Sequence, residues 1–570
     1  MKTADWLVLA GTLTFIVVYG TWKTRRQRNL DSFVLAGHSL PWWMVALSVM
    51  ATQASAITFL STPGQAFKDG LGFVQFYFGL PLAMVVLSIT AVPIYHRLKV
   101  LTAYEYLERR FDARTRALAA GLFLVQRGLA TGLTIYAPSV VLSVLLDWPV
   151  SVTTAGVGLL VIVYTATGGS RAVSVTQLQQ MLVILSGMGL ALVAILRLLP
   201  HDVSFSEAVA VAGVSGKLNA VDFSFDLSNR YNFWSGLIGG FFLALSYFGT
   251  DQSQVGRYLS GRSITQSRLG LLFNGLAKVP MQFLILFVGA MVFVVYQFVP
   301  PPAHFNPVES RRLAAGPLRA EYAEAEGEHR AAVDERRAAV GRYLAARRDG
   351  SPAAEGAARD AIRAAGTRYD SARERVSALV RKSNPLSDGR DTNYVFLRFV
   401  LENLPTGLVG LILAAVFSAA MSSASAELTA LASTTVVDGY KRFVRPDATD
   451  AHYVAVSRRA TVLWGVVAVA FAQFASKLGT LVEAVNVLGS LFYGTILGIF
   501  LVAFYAKSVG GRAVFGAALI SEAAVLLLFA CTKVSFLWFN VVGCLLVVAL
   551  ALLLQVARGE AAGRSLEPAA

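Results

Sequence analysis

The sequence predicts an all-α, polytopic membrane protein, and three observations carry that expectation. Hydrophobic residues make up 55% of the 570-residue chain and its mean hydropathy is +0.58, a balance foreign to soluble enzymes. Apolar runs near the ~20 residues that a membrane-spanning helix needs recur from the first residues to the last. The net charge of +15 is concentrated between those runs, where it reads as a topology signal and not as a nucleic-acid surface. The two cysteines, Cys531 and Cys544, both lie in apolar runs near the C-terminus, so neither a disulfide framework nor a zinc site is indicated.

In chain order, a first span at about 6–19 is preceded by Lys2 and Asp5 and followed by Lys23, Arg25, Arg26 and Arg28. That asymmetry places the N-terminus outside and keeps the span; a cleaved signal peptide, charged in front, is the alternative. The second span, from Pro41, carries Thr52, Gln53, Ser55 and Thr58 in its second half and stops at Pro63-Gly64. So much polar content at mid-membrane depth predicts a discontinuous helix lining a cavity. A third span includes Gln75 and Tyr77, and the basic loop after it is assigned inside. Spans at about 117–146 and 150–167 flank a short acidic turn, Asp147-Trp148-Pro149; a turn at Gly168–Arg171 then leads into a span at 172–199. The chain next crosses from Phe233 and again at 269–298, and after an insert at about 405–437, 455–475, 480–505, 511–531 and 535–555. About thirteen spans, N-terminus outside and C-terminus inside, place Arg257, Arg262, Lys441, Arg442, Arg458, Lys507 and Arg558 on one side. The expected domains are 1–301, an insert at 302–390, 391–560 and a cytoplasmic tail at 561–570.

The insert is compositionally foreign. It is Ala-rich, mixed in charge and high in helix propensity, and Gly350-Ser351-Pro352 divides it. An antiparallel helical hairpin outside the membrane is expected, with partner contacts as its conceivable use and a solvated loop as the alternative. Nothing in it looks catalytic.

The stretch 411–442 organises the rest. Ser418, Ser422, Ser425 and Thr429 fall at helical spacing with Ser423 beside them, and alanines between them let another backbone approach. Small-residue packing would explain the pattern. So would a cation site, because hydroxyls and freed carbonyls are what a small hard cation binds.

In order along the chain, the blocks ATQASAITF with PGQAF, TAYEYLERRF, TGGSRAV, YFGTDQSQVGRYLS, AKVP, and FSAAMSSASAEL with DGYKR resemble the sodium:solute symporter family. The resemblance covers nearly everything but the insert. It implies a LeuT-type core of two inverted five-helix repeats with flanking helices, and a site between the interrupted helices at 51–59 and 245–252. It further implies a sodium site of Ala51 and Ala54 carbonyls with Ala419, Ser422 and Ser423. The second sodium site of some members needs an Asp where Gln177 stands; Ser425 is kept but Ala426 replaces a hydroxyl, leaving a degenerate site. For the solute, the resemblance points to Tyr247, Lys278 and Asn486, with Thr58 and Tyr77 replacing a Gln and a Glu of the sugar branch; Gln53 and Ser55 lie in the same interrupted helix.

Arg127 stands within an apolar span, where an Arg needs a ligand or a partner. A structural pair with an unidentified acid, or snorkelling, is the alternative; Glu427, Glu522 and Asp251 are further charges within or near spans, for each of which structural pairing is the expected role. The resulting reading is a sodium-coupled symporter in the cell membrane, taking up a small organic anion with one Na+. The rival substrate is a sugar or another neutral solute. Proton coupling is the mechanistic rival. An enzyme is not expected, since no HExxH or GxSxG occurs; a sensor would need an appended signalling domain.

Overall fold

The computed structural model describes residues 1–24, 34–385 and 387–558. Arg25, Arg26 and Arg28, the basic cluster after the first span, lie outside the described residues, as does the expected tail at 561–570. Helices dominate, and among the described residues nine are long and apolar enough to cross a membrane. The described residues bring four shorter apolar helices as well, Thr3–Ile16, Val150–Ala166, Phe205–Val214 and Ser235–Gly249.

Two helices are interrupted. The first runs Trp42–Gln53, leaves helical geometry at Ala54 and Ser55, and resumes at Ala56–Asp69. Neither proline nor glycine marks that break; Pro63, which would be expected to end the helix, lies inside its second half instead. The second starts with a π-helical turn at Ser235–Gly239, continues as Gly240–Gly249, breaks at Thr250-Asp251 and resumes as Gln252–Leu259. Around these stand Ala113–Leu146, Ile264–Val295, Leu408–Thr434 and Leu481–Tyr505. The serine-rich helix Leu408–Thr434 is the most enclosed of the candidate spans, 83% of its most apolar window being buried. A helix buried on all sides fits a sequence of small, hydroxylated and apolar residues whose one charge, Glu427, is itself buried.

One expected turn is absent. Helical backbone runs unbroken through Gly168–Arg171, within a single 48-residue helix, Val150–Arg197. Two adjacent glycines cost only ~1 kcal/mol each in a helix, and no proline removes a backbone donor there.

The insert forms two long helices, Arg319–Arg348 and Pro352–Ser383, packed antiparallel. The reversal uses Gly350 at φ 63° and Pro352 at the start of the second helix, where its fixed φ suits a first turn. Ala325, Ala332 and Val376 are buried, so the helices approach closely, and the Arg336 guanidinium lies 3.8 Å from the centroid of the Tyr369 ring. The hairpin is docked on the body. Val340, Tyr343 and Leu344 join its apolar core, and Arg348 Nε meets Glu207 Oε1 at 2.6 Å. Hydrogen bonds from Arg348 and from Ser204 hold the Glu207 carboxyl down at about 2. Where the insert leaves and rejoins the body, the Phe305 N–H donates to Asp391 Oδ2 at 2.7 Å.

Close backbone approach holds the bundle together. A Cβ on Gly289 would run into the backbone of Pro63, and one on Gly64 into the Thr392 carbonyl. Gly289→Ala is therefore expected to destabilise the protein by ~1–3 kcal/mol through overpacking, read as a lower melting temperature of the purified chain. Gly121→Ala, with open space at the same atom, should leave it unchanged.

Candidate functional site: an interrupted helix against a serine helix

The first interruption frees carbonyls. Near the end of Trp42–Gln53 only Met50 O is reclaimed locally, by the Ala54 N–H at 2.8 Å. Ala51 O and Thr52 O receive hydroxyls from the serine helix instead. Ser422 Oγ donates to Ala51 O at 3.1 Å, while Ser423 Oγ reaches Ala51 O at 3.4 Å and Thr52 O at 3.0 Å. All four residues are buried. Ala54 supplies the non-helical backbone at φ −84°, ψ 71°, and Ala419 is buried one turn before the two serines. The arrangement is a cluster of neutral oxygens from two helices, the donor chemistry a small hard cation takes. Thr52 O was not anticipated, because nothing in the sequence says which carbonyls a helix break releases.

Gln177 stands beside this cluster and ties the long helix to the first broken one. Its Oε1 accepts from Ser48 Oγ at 2.5 Å and its Nε2 donates to Thr52 Oγ1 at 3.0 Å. A carboxylate could accept the first of these bonds but could not donate the second. Ser425 Oγ turns back onto its own helix, donating to Ser422 O at 3.2 Å.

The second interruption is satisfied differently. Gly249 O accepts from the Tyr95 hydroxyl at 2.8 Å, and Thr250 O from the Tyr104 hydroxyl at 2.9 Å. Tyr104 is the first of two tyrosines in the TAYEYLERRF block, so that motif holds the unwound segment. Asp251 caps the next half-helix by accepting from the Ser253 N–H at 2.9 Å.

Asp251 also pairs with Arg127. The guanidinium binds Asp251 Oδ2 and Tyr493 OH through Nη2, the latter at 2.5 Å, and Glu427 Oε1 through Nη1 at 3.2 Å. Arg127 is 3% exposed, so a cation without these acids would be prohibitive. Its charge is met within the protein. Tyr493 is the member that sequence reasoning missed, since it lies in an otherwise ordinary apolar helix.

The expected solute residues divide. Tyr247 lies under Arg127, its ring centroid 5.3 Å from the guanidinium carbon, and its hydroxyl accepts from Gln254 Nε2 at 2.6 Å. Lys278 is fully buried on Ile264–Val295; its Nζ lies 5.6 Å from the Tyr77 ring centroid and has no hydrogen-bond partner. Gln53 Oε1, at the end of the first half-helix, is likewise buried and without a partner. Ser55 opens the second half-helix and Thr58 follows it, buried. Asn486 donates to Val482 O of its own helix at 2.7 Å and meets none of the others by hydrogen bond.

The sodium:solute symporter family model matches residues 33–311 and 384–520, leaving the hairpin outside it. The chain belongs to the sodium:solute symporter family. Among curated relatives of this symporter-family chain, the human sodium/iodide cotransporter is 33% identical over 248 residues, 44% of this chain and 38% of that protein. The mouse sodium-coupled monocarboxylate transporter 2 is 30% identical over 273 residues, 47% of this chain and 44% of that protein. The match thus spans about two-fifths of these relatives' length. The sodium/sialic acid symporter NanT of Aliivibrio fischeri aligns over 96% of this chain and 92% of its own length, at 24% identity. A solved sodium-coupled sialic acid symporter, substrate-bound and outward-open, superposes with a TM-score of 0.76 at 22% identity, covering 99% of this chain and 100% of its own. That likeness shows the fold.

The ion-paired cluster makes a direct prediction. Asp251→Asn removes one countercharge from a buried Arg127, which costs ~3–5 kcal/mol. A sharply lowered melting temperature is expected. Asp251→Asn combined with Arg127→Met and Glu427→Gln should recover much of the loss, because no buried charge is then left without its partner, whereas additive losses would deny the pairing.

Proposed function

We infer that this chain is a sodium-coupled symporter of the cell membrane that takes up a small organic anion, one Na+ with each solute. Its N-terminus lies outside and its C-terminus inside. The observation that carries the reading is the convergence of Ser422 and Ser423 on carbonyls freed by the break at Ala54-Ser55. Sodium held there by Ala51, Ala54, Ala419, Ser422 and Ser423 bridges the first broken helix and the serine helix. An ion that bridges two parts only in one conformation favours that conformation, and this differential affinity is what couples it to solute.

Stoichiometry follows from Gln177. Its amide bridges Ser48 and Thr52 and carries no negative charge, so a second ion there would be left uncompensated in a buried site. The solute's charge follows from Lys278. Arg127 is already countered by Asp251 and Glu427, whereas Lys278 Nζ is buried without a hydrogen-bond partner. An ammonium in that position is best compensated by an anion that arrives with the solute. Its relatives include iodide, monocarboxylate and sialic acid transporters, all carriers of anions, which supports this reading.

The test begins with a panel of small organic anions and sugars screened by thermal shift with sodium and with choline. Stabilisation by an anion in sodium alone is expected. With that anion, Ser423→Ala should raise the sodium concentration for half-maximal uptake roughly tenfold, the scale of one lost buried hydroxyl contact. Lys278→Gln should weaken solute binding more than a hundredfold, about 3 kcal/mol for a desolvated charge pair. Sodium dependence that survives Ser423→Ala unchanged would sink the ion site; a sugar as the stabilising solute would sink the anion reading.

A further inference from the structure

The hairpin carries a buried positive charge that no carboxylate of the protein answers at close range. Arg336 and Arg373, one on each of its helices, close on a single ring, Tyr369, with guanidinium carbons 3.8 Å and 5.8 Å from the ring centroid. Further aromatics wall the place off. Arg336 lies 5.4 Å from the centroid of Phe293, on Ile264–Val295, and Arg373 lies 4.9 Å from that of Phe305, in the segment leading into the insert. His329, two turns before Arg336, sets its ring 5.1 Å from Tyr369. The four residues around this ring, Tyr369 included, belong to the hairpin, which the family match leaves out.

The two guanidinia are met differently. Arg373 is held by Asp391 through both carboxylate oxygens, each at 2.6 Å. Arg336 is 4% exposed and forms no ion pair among the described residues. Asp370, the acid that acts on it from a distance, lies on the exposed side of its helix, where water screens it. Lys217, which stands over Phe293, has Asp69 in range, and those two charges offset each other. Two buried arginines against Asp391 leave one cation in excess. Donors are in excess as well. Arg336 Nη2, Arg373 Nε, His329 Nε2 and the Tyr369 hydroxyl are all buried and make no hydrogen bond. Burial and the two guanidinia hold the His329 imidazole down at about 3, so the ring is neutral and adds a donor without adding charge. Buried N–H groups of a guanidinium pay their full desolvation cost unless an acceptor meets them.

We propose that these donors hold a chloride ion between the hairpin and the body. A monatomic anion suits them better than an oxyanion, because the Arg373 fork is already taken by Asp391 and the remaining donors come singly from an arginine edge, an imidazole and a phenol. Chloride supplies the one negative charge that the buried set lacks. It joins Arg336 and His329 of the first hairpin helix to Tyr369 and Arg373 of the second, against Phe293 of the body, and so pins the docked hairpin in place. The site is independent of the charge of the transported solute.

Thermal unfolding of the purified full-length protein, in sodium chloride and in sodium gluconate at equal sodium, tests the site. The melting temperature should rise with chloride along a saturable curve. Tyr369→Phe keeps the ring beneath Arg336 and deletes one donor, so it should raise the half-saturating chloride about tenfold. Arg336→Gln should abolish the chloride response. Crystals grown in bromide give a second reading, an anomalous peak within hydrogen-bonding reach of Arg336 Nη2. Equal stability in chloride and gluconate overturns the proposal, and so does a chloride response that survives Arg336→Gln. A response lost in Lys278→Gln places the chloride at the central site and overturns it too. Should Arg336→Gln fail to fold, Tyr369→Phe and the bromide peak decide: an unshifted half-point or an empty site rejects the chloride.

Discussion

Everything in the core is arranged around two backbone carbonyls, Ala51 O and Thr52 O, that have lost their place in a helix and are met by Ser422 and Ser423. In a bilayer a helix cannot simply stop, because an unsatisfied peptide group costs several kcal/mol with no water to relieve it. The break at Ala54-Ser55 therefore exists only because another helix supplies hydroxyls. The dependence runs both ways. Serines at the centre of a membrane helix need acceptors beyond their own backbone if they are to fix a partner's position, and the freed carbonyls provide them. A cation inserted among these oxygens replaces weak neutral hydrogen bonds with stronger coordination and ties the same two helices together.

The two interruptions solve one problem with different chemistry. At the first, the hydroxyls come from serines on a helix of small residues, so the oxygens stay close and interchangeable. At the second, they come from Tyr95 and Tyr104, whose rings are packed among other aromatics. Long rigid tyrosines fix the unwound segment in place, and Asp251 at its end reaches the buried Arg127. The first break thus gathers neutral oxygens from two helices, and the second forms a charge-paired joint between four helices, those bearing Arg127, Asp251, Glu427 and Tyr493. Arg127 is countered by Asp251 and Glu427, whereas Lys278 Nζ is buried with no hydrogen-bond partner. That difference between two cations of like charge is the observation behind the proposal of an anionic cargo.

Much of this was legible in the sequence. The hydroxyl stripe, the polar half of the second span and the YFGTDQ block each violate what an ordinary membrane helix needs, and such violations mark function. The hairpin was legible for the opposite reason, since its composition obeys the rules of a solvated helix and ignores those of its neighbours. Partners were harder to read. Arg127 announces that it needs an acid, yet Asp251 lies 124 positions away and Glu427 lies 300. Only the fold brings them together. The turn expected at Gly168–Arg171 failed because glycine permits a reversal without requiring one. Asn486 sits at a plausible position but spends its amide on its own helix, a choice no spacing rule reveals.

How many ions the serine helix and Gln177 together admit decides whether the Ala51–Ser423 cluster alone couples sodium to solute. The direct measurement is the reversal potential of solute-driven current in proteoliposomes reconstituted with the full chain, analysed as a sodium-to-solute flux ratio. With Gln177 engaged by Ser48 and Thr52, and Ser425 turned onto its own helix, the ratio is expected to be one. A ratio of two would mean that the protein builds a second ion site from other groups, and would contradict the assignment of the coupling to the Ala51–Ser423 cluster alone.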